Sequence, residues 1–229
     1  MFGALSFGGP AAGARSTATP LSEEDRLINR FFHQVRDPDA AFVVISDGEI
    51  LTSGLPVEVP PITVASEVSI RGNDWAGRLS IVEGDEAVVD ADMMLVDGIS
   101  YVRLPEAEWV SEEVLEHYYS INAFARISTV TEVEYLESEI VDGERWHRLV
   151  VTKWLGGRVF TDYLNRFARI DSRDSRMEIV VDDLGVPTGA DLVMQVVATD
   201  SSDATATFDI TATYQISDWD AVDPIEPPI

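Results

Sequence analysis

Between Ser22 and Val35 the chain reads SEEDRLINRFFHQV. Leu27, Ile28, Phe31, Phe32 and Val35 fall at i, i+1, i+4, i+5 and i+8, a single apolar stripe at helical spacing. Ser22 supplies an N-cap hydroxyl, and Glu23, Glu24 and Asp25 put negative charge where the helix dipole favours it. Pro38 ends the pattern, because proline cannot donate a backbone hydrogen bond. A helix is predicted here.

Past Pro38 the apolar positions recur at every second residue, the period of a half-buried strand. FVVISDGEILTSG, ITVASEVSIRG, WAGRLSIVEGD, EAVVDADMMLVDG and SYVRLPEAEW are short alternating runs. Asp47-Gly48, Gly72-Asn73, Glu83-Gly84 and Asp97-Gly98 punctuate them and read as hairpin turns. A second helix is predicted in SEEVLEHYYS, with Ser111 as N-cap and Val114, Leu115, Tyr118 and Tyr119 on one face. Strands resume in STVTEVEYLESEIVDGERWHRLVVTKW, with a turn at Asp142-Gly143. A third helix is predicted in RVFTDYLNRFARI, where Val159, Phe160, Tyr163, Leu164 and Phe167 repeat the first helix's spacing. RMEIVVDD, ADLVMQVVAT and ATFDITATYQI read as the final strands. In the last, Phe208, Ile210, Ala212, Tyr214 and Ile216 face one way, and Asp209, Thr211, Thr213, Gln215 and Ser217 face the other.

Consecutive strands with turns this tight make an antiparallel meander, and the helices are too few to cover both faces. The pattern predicts an α+β single domain: a strongly curved antiparallel β-sheet with short α-helices covering its concave face. Residues 1–21 read as a flexible leader or signal remnant, and 22–229 as the domain. The terminal strand is expected to end with Trp219 packed where it leaves the sheet. Asp223-Pro224 and Pro227-Pro228 are expected to blunt a sheet edge there.

Composition narrows the partners. The net charge is −25, from 41 acidic and 16 basic residues. Such a surface repels phosphate backbones and anionic membrane surfaces, so nucleic acid is not an expected partner. A 45% hydrophobic content is enough for a folded core. There is no cysteine, which removes disulfides, cysteine-ligated metal and thiol chemistry.

Candidate chemistry is sparse. His33, His117 and His147 have no metal-ligand spacing. Asp90 and Asp92 share one side of a strand and could form an acid/base pair, the basis of a hydrolase reading. Asp171 to Asp174 and Asp200 to Asp203 read as acidic turns. No nucleophile elbow, P-loop or dinucleotide fingerprint is present, so no catalytic residue, metal or cofactor is expected. Trp75, Trp109, Trp146, Trp154 and Trp219 suit either a ligand site or turn anchors.

Three stretches carry a family resemblance: VDGISYVRLPEAEW; IVDGERWHRLVVTKW followed by RVFTDYLNRF; and MEIVVDDLGVPTGADLVMQV followed by ATFDITATYQISDWDAVDPIEPP. In order and pattern they resemble the LppX/LprG family of bacterial envelope lipoproteins, within the wider LolA-like group of carriers. The resemblance implies a half-barrel over helices, enclosing an apolar cavity for lipid or acylated molecules. It also implies an extracytoplasmic place, in the cell envelope or periplasm, with an anchor on an N-terminal cysteine that this sequence lacks. The function expected is non-catalytic lipid binding or carriage by a monomer. The alternative is an envelope sensor or interaction module whose partner is an envelope protein. Cavity-lining candidates are Phe31, Phe32, Tyr118, Tyr119, Phe160, Tyr163 and Phe167 from the helices. Val68, Leu79, Ile81, Met194, Phe208, Ile210 and Tyr214 are the candidates from the sheet.

Overall fold

The structure, a computed structural model, describes residues 21–111, 130–154, 169–199 and 203–228. Helix α1 (Glu23–Val35) is followed by β1 (Ala41–Ser53), β2 (Ile62–Arg71), β3 (Asp74–Glu83), β4 (Glu86–Val96), β5 (Ile99–Arg103) and β6 (Val110–Ser111). Then come β7 (Val130–Val141), β8 (Glu144–Trp154), β9 (Arg169–Val181), β10 (Pro187–Thr199) and β11 (Thr205–Ser217). Helix α1 starts as its sequence demands. The Ser22 hydroxyl accepts from the Asp25 backbone N–H at 3.0 Å, and the Asp25 carboxylate accepts from the Ser22 N–H at 3.2 Å. This reciprocal box satisfies two otherwise orphaned donors.

The strands form one open antiparallel sheet in the order β6-β5-β4-β3-β2-β1-β11-β10-β9-β8-β7. One meander runs outward from β1, and a second returns from β7 to the centre. The two are joined by β1 and β11, which pair from Val43↔Ser217 to Ser53↔Thr207. The terminal strand is therefore central, not an edge as its proline-rich continuation suggested. That continuation folds back instead. Trp219 stacks on Phe42 with centroids 4.6 Å apart, and its indole N–H donates to the Pro187 carbonyl at 2.8 Å. The Asp220 N–H donates to the Ala41 carbonyl, and the Arg71 guanidinium donates to that of Val222.

Other expectations also change. Asp97-Gly98 and Asp142-Gly143 are two-residue turns with both residues in the left-handed region, as the pairs predicted. Asp47-Gly48 is no turn: β1 runs straight through it. Asp171 to Asp174 lies inside β9, paired to β10 through Val197↔Asp171 and Gln195↔Arg173. The second and third predicted helices fall largely outside the described residues. Where they overlap them, Ser111 ends β6, and Arg169 and Ile170 open β9. Among the described residues a single helix, α1, lies against the sheet.

The sheet is rolled. Val64 on β2 and Trp154 on β8 line one pocket, yet five strand spacings separate their strands. Flat, that would be roughly 24 Å at the usual inter-strand distance. Strand β8 pairs with β9 only from His147 to Val150, so its second half is free to swing inward with β7. The inward face carries the core: Val44, Val68, Leu79, Ala91, Met93, Leu149, Ile179, Val181, Leu192 and Val196 are all buried. Helix α1 closes one end of this face with Leu27, Phe31 and Val35. Its Phe31 backbone N lies 2.7 Å from where a Cβ on Gly185 would stand, at the β9–β10 turn.

Gly77 sets how closely β2 and β3 approach. A Cβ there would fall 2.8 Å from Val68 Cα and 2.9 Å from Val68 Cγ2. Gly77→Ala is expected to destabilise the protein by about 1–3 kcal/mol, by forcing a strand apart. Urea denaturation is the check, and an unchanged midpoint would show that the contact yields freely.

Candidate ligand-binding site

The sheet register builds a depression on the inward face. Val64, Gly48, Ala212 and Leu192 stand side by side on β2, β1, β11 and β10. The two middle positions hold the smallest residues available. Larger residues rise on both sides of this row: Ile50, Ile210 and Met194 form one flanking row, and Ser46 and Tyr214 belong to the other. Trp154 adds an aromatic wall from β8. The resulting pocket holds about 470 Å³ of space out to its open mouth, of which about 30 Å³ admits the centre of a water molecule. That part suits about two waters, so the seat is a shallow apolar depression open to solvent and not an enclosed cavity.

Polar groups on this floor are satisfied. The Ser46 and Ser66 hydroxyls, opposite each other on β1 and β2, are 2.7 Å apart. Tyr214 is buried, and burial pushes its phenol pKa well above the ordinary value. Its neutral form is the one favoured in the folded state. Stability is therefore expected to fall above about pH 10, where tyrosines of the unfolded chain ionise while Tyr214 does not. Tyr214→Phe should flatten that decline, as followed by thermal unfolding across alkaline pH. An unaltered slope would show that Tyr214 titrates normally.

The structure sorts the candidate residues. Met194, Ile210 and Tyr214 line the pocket. Phe31, Val68, Leu79 and Ile81 are buried core. Phe208 and Phe32 are half-buried against that core, and the Arg36 guanidinium lies 4.2 Å above the Phe32 ring. Tyr118, Tyr119, Phe160, Tyr163 and Phe167 lie outside the described residues. Ile50, Val64, Leu192, Gly48 and Ala212 were missed. The signal for the last two was small size in the middle of apolar alternation, which for Gly48 was mistaken for a turn. Of the tryptophans, Trp154 reaches the pocket, Trp75 is core and Trp219 anchors the chain end.

The remaining candidate chemistry is structural. Arg78 clasps Asp90 through two hydrogen bonds, at 2.9 and 2.8 Å, and holds its carboxyl below the usual carboxylate range. Arg103 holds Asp92 at 2.7 Å. Each aspartate is engaged by its own arginine and not by the other, so the two are not arranged as an acid/base pair. His33 is exposed on α1, and His117 lies outside the described residues. His147 is buried between Tyr135 and Asp183. The Tyr135 hydroxyl is 3.3 Å from Nδ1, and Nε2 is 2.9 Å from the Asp183 carboxylate. Nε2–H faces a carboxylate that can only accept, and Nδ1 shares its contact with the Tyr135 hydroxyl. The contacts tie β7 and β8 to the β9–β10 turn. Among the described residues no group of three His, Asp or Glu is arranged to hold a metal ion. None of the described helices is long and apolar enough to cross a membrane.

No family model matches the chain, and no curated protein matches it. Solved structures do resemble it. The Mycobacterium tuberculosis lipoprotein LppX is similar at 13% identity and a TM-score of 0.44, over 87% of this chain and 96% of that one. A LolA superfamily protein from Nitrosomonas europaea is similar at 11% identity and a TM-score of 0.32, over 88% of this chain and 94% of that one. A lipovitellin structure concerned with lipid–protein interactions is similar at 10% identity and a TM-score of 0.40, over 84% of this chain and 26% of that one. These are likenesses of fold at low identity.

Proposed function

We propose that this protein is a non-catalytic lipid binder or carrier of the bacterial cell envelope, acting outside the cytoplasm. The observation that carries the reading is the apolar pocket at the middle of the sheet. Gly48 and Ala212 leave room there, and Ile50, Val64, Leu192, Met194, Ile210, Tyr214 and Trp154 surround it. An acyl chain seated in it gains about 0.8 kcal/mol per methylene removed from water. No ionic group is needed on the floor, since the ligand's tail carries none. A polar headgroup stays at the open mouth, where it keeps its water. Such binding requires no bond to form or break.

Native mass spectrometry of gently purified protein tests the proposal, together with titration by a fluorescent fatty acid. A retained lipid mass, or saturable uptake displaced by unlabelled fatty acid, is the expected result. No co-purified lipid together with no uptake would overturn it. The alternative of a ligand-free interaction module would then be favoured.

A further inference from the structure

Residues 54–61, GLPVEVPP, join β1 to β2 with one charge in eight positions. Leu55 is 41% exposed and Val57 71% exposed. Exposed apolar residues gathered on one loop mark an interaction surface more often than a random surface does. The loop is also held at both ends. Gly54, at φ +84°, sits so close to β11 that a Cβ would stand 2.8 Å from the Thr205 carbonyl. At the other end the Gly84 N–H donates to the Pro61 carbonyl at 3.0 Å. Pro56, Pro60 and Pro61 each restrict φ, so the loop has little freedom left to lose on binding.

The charge around it has one sign. Glu58 on the loop, Glu83, Asp85 and Glu86 at the β3–β4 turn, and Asp203 before β11 are all exposed. Residues 51–62, 83–88 and 203–207 contain no lysine or arginine. The loop also stands at the rim of the apolar pocket. Ile62 pairs with Ile50, and Ile50 and Val64 line that pocket.

We infer that residues 54–61 are a docking loop for a partner protein presenting an apolar surface bordered by lysine or arginine. Leu55 and Val57 enter the apolar centre, and the carboxylates meet the basic border. An anionic bilayer does not fit, because the surrounding charge repels it. The inference rests on the carrier reading only for its purpose, transfer of a ligand across the adjoining rim.

A synthetic amphipathic peptide of leucine and lysine serves as the probe, titrated with lipid-free protein by fluorescence anisotropy at low and high salt. Leu55→Asp with Val57→Asp is expected to weaken binding by about tenfold or more. Neutralising Glu58, Asp85 and Glu86 together should weaken it and reduce its salt dependence. Neutralising Asp47, Glu67 and Asp191 on the outward face should leave it unchanged. Thermal unfolding confirms that each variant is folded. Equal loss from the outward-face variant would overturn the inference, as mere attraction to net charge. So would wild-type binding by the Leu55/Val57 variant. Sedimentation with phosphatidylcholine vesicles that needs Leu55 and Val57, without peptide binding, would overturn it in favour of a lipid surface. No lipid enters the peptide titration, so docking and lipid uptake can fail separately.

Discussion

Replacing Phe31 by alanine is expected to lower the free energy of unfolding by about 3–5 kcal/mol. Phe31 is fully buried in α1 and joins the central core cluster. Its removal takes apolar contact away and leaves a cavity that the surroundings fill poorly. Collapse is hindered on one side by the β9–β10 turn, since Gly185 already packs against the Phe31 and Arg30 backbone. On the other side the sheet is held by its hydrogen bonds. Urea denaturation should show the midpoint falling by roughly 1–2 M if the slope is near the upper end for single domains. A change under about 1 kcal/mol would mean that α1 unfolds separately from the sheet and is no part of the cooperative core.

Ala212→Phe is expected to reduce fluorescent fatty acid uptake by about tenfold or more, a loss of at least about 1.4 kcal/mol. Ala212 stands between Gly48 and Leu192 on the pocket floor. A phenyl ring there occupies the space that an acyl chain would enter. The space is open at its mouth, so the cost in stability should be small beside the loss of binding. Thr213→Phe is the control. Thr213 is exposed on the opposite face, and added bulk there leaves the pocket untouched. Equal uptake by wild type and Ala212→Phe would place the acyl chain elsewhere, and equal loss in both variants would point to a general effect on folding.

Much of this architecture was legible in local pattern. The capping box at Ser22, the stripe of Leu27, Phe31 and Val35, and the Asp-Gly turns depend on residues close in the chain. Their physics is complete within a few positions. Alternation in β11 likewise assigned its residues to the right faces. The site was less legible. Phe31, Val68, Leu79 and Ile81 look the same in sequence as Met194, Ile210 and Tyr214. Whether an inward side chain meets a neighbour or a void depends on which residue stands opposite it. Gly48 shows this most sharply: after an aspartate and inside an apolar run, a glycine reads as a turn. In β1 it is extended, and its missing side chain lets β11 come close: a Cβ there would stand 3.1 Å from the Thr211 carbonyl oxygen and 3.3 Å from the Ala212 methyl.

The amino-acid sequence by itself determined helix α1, most of the strands with their inward and outward faces, and a strongly acidic net charge. Local hydrogen bonding, period and charge suffice for these. Only the tertiary structure decided that the last strand lies at the centre, beside the first. Pairing between β1 and β11 joins residues more than 150 positions apart, on the order of the whole domain, and no local signal encodes it. That same pairing brings Gly48 against Ala212, and so the pocket exists only because the two ends of the chain meet.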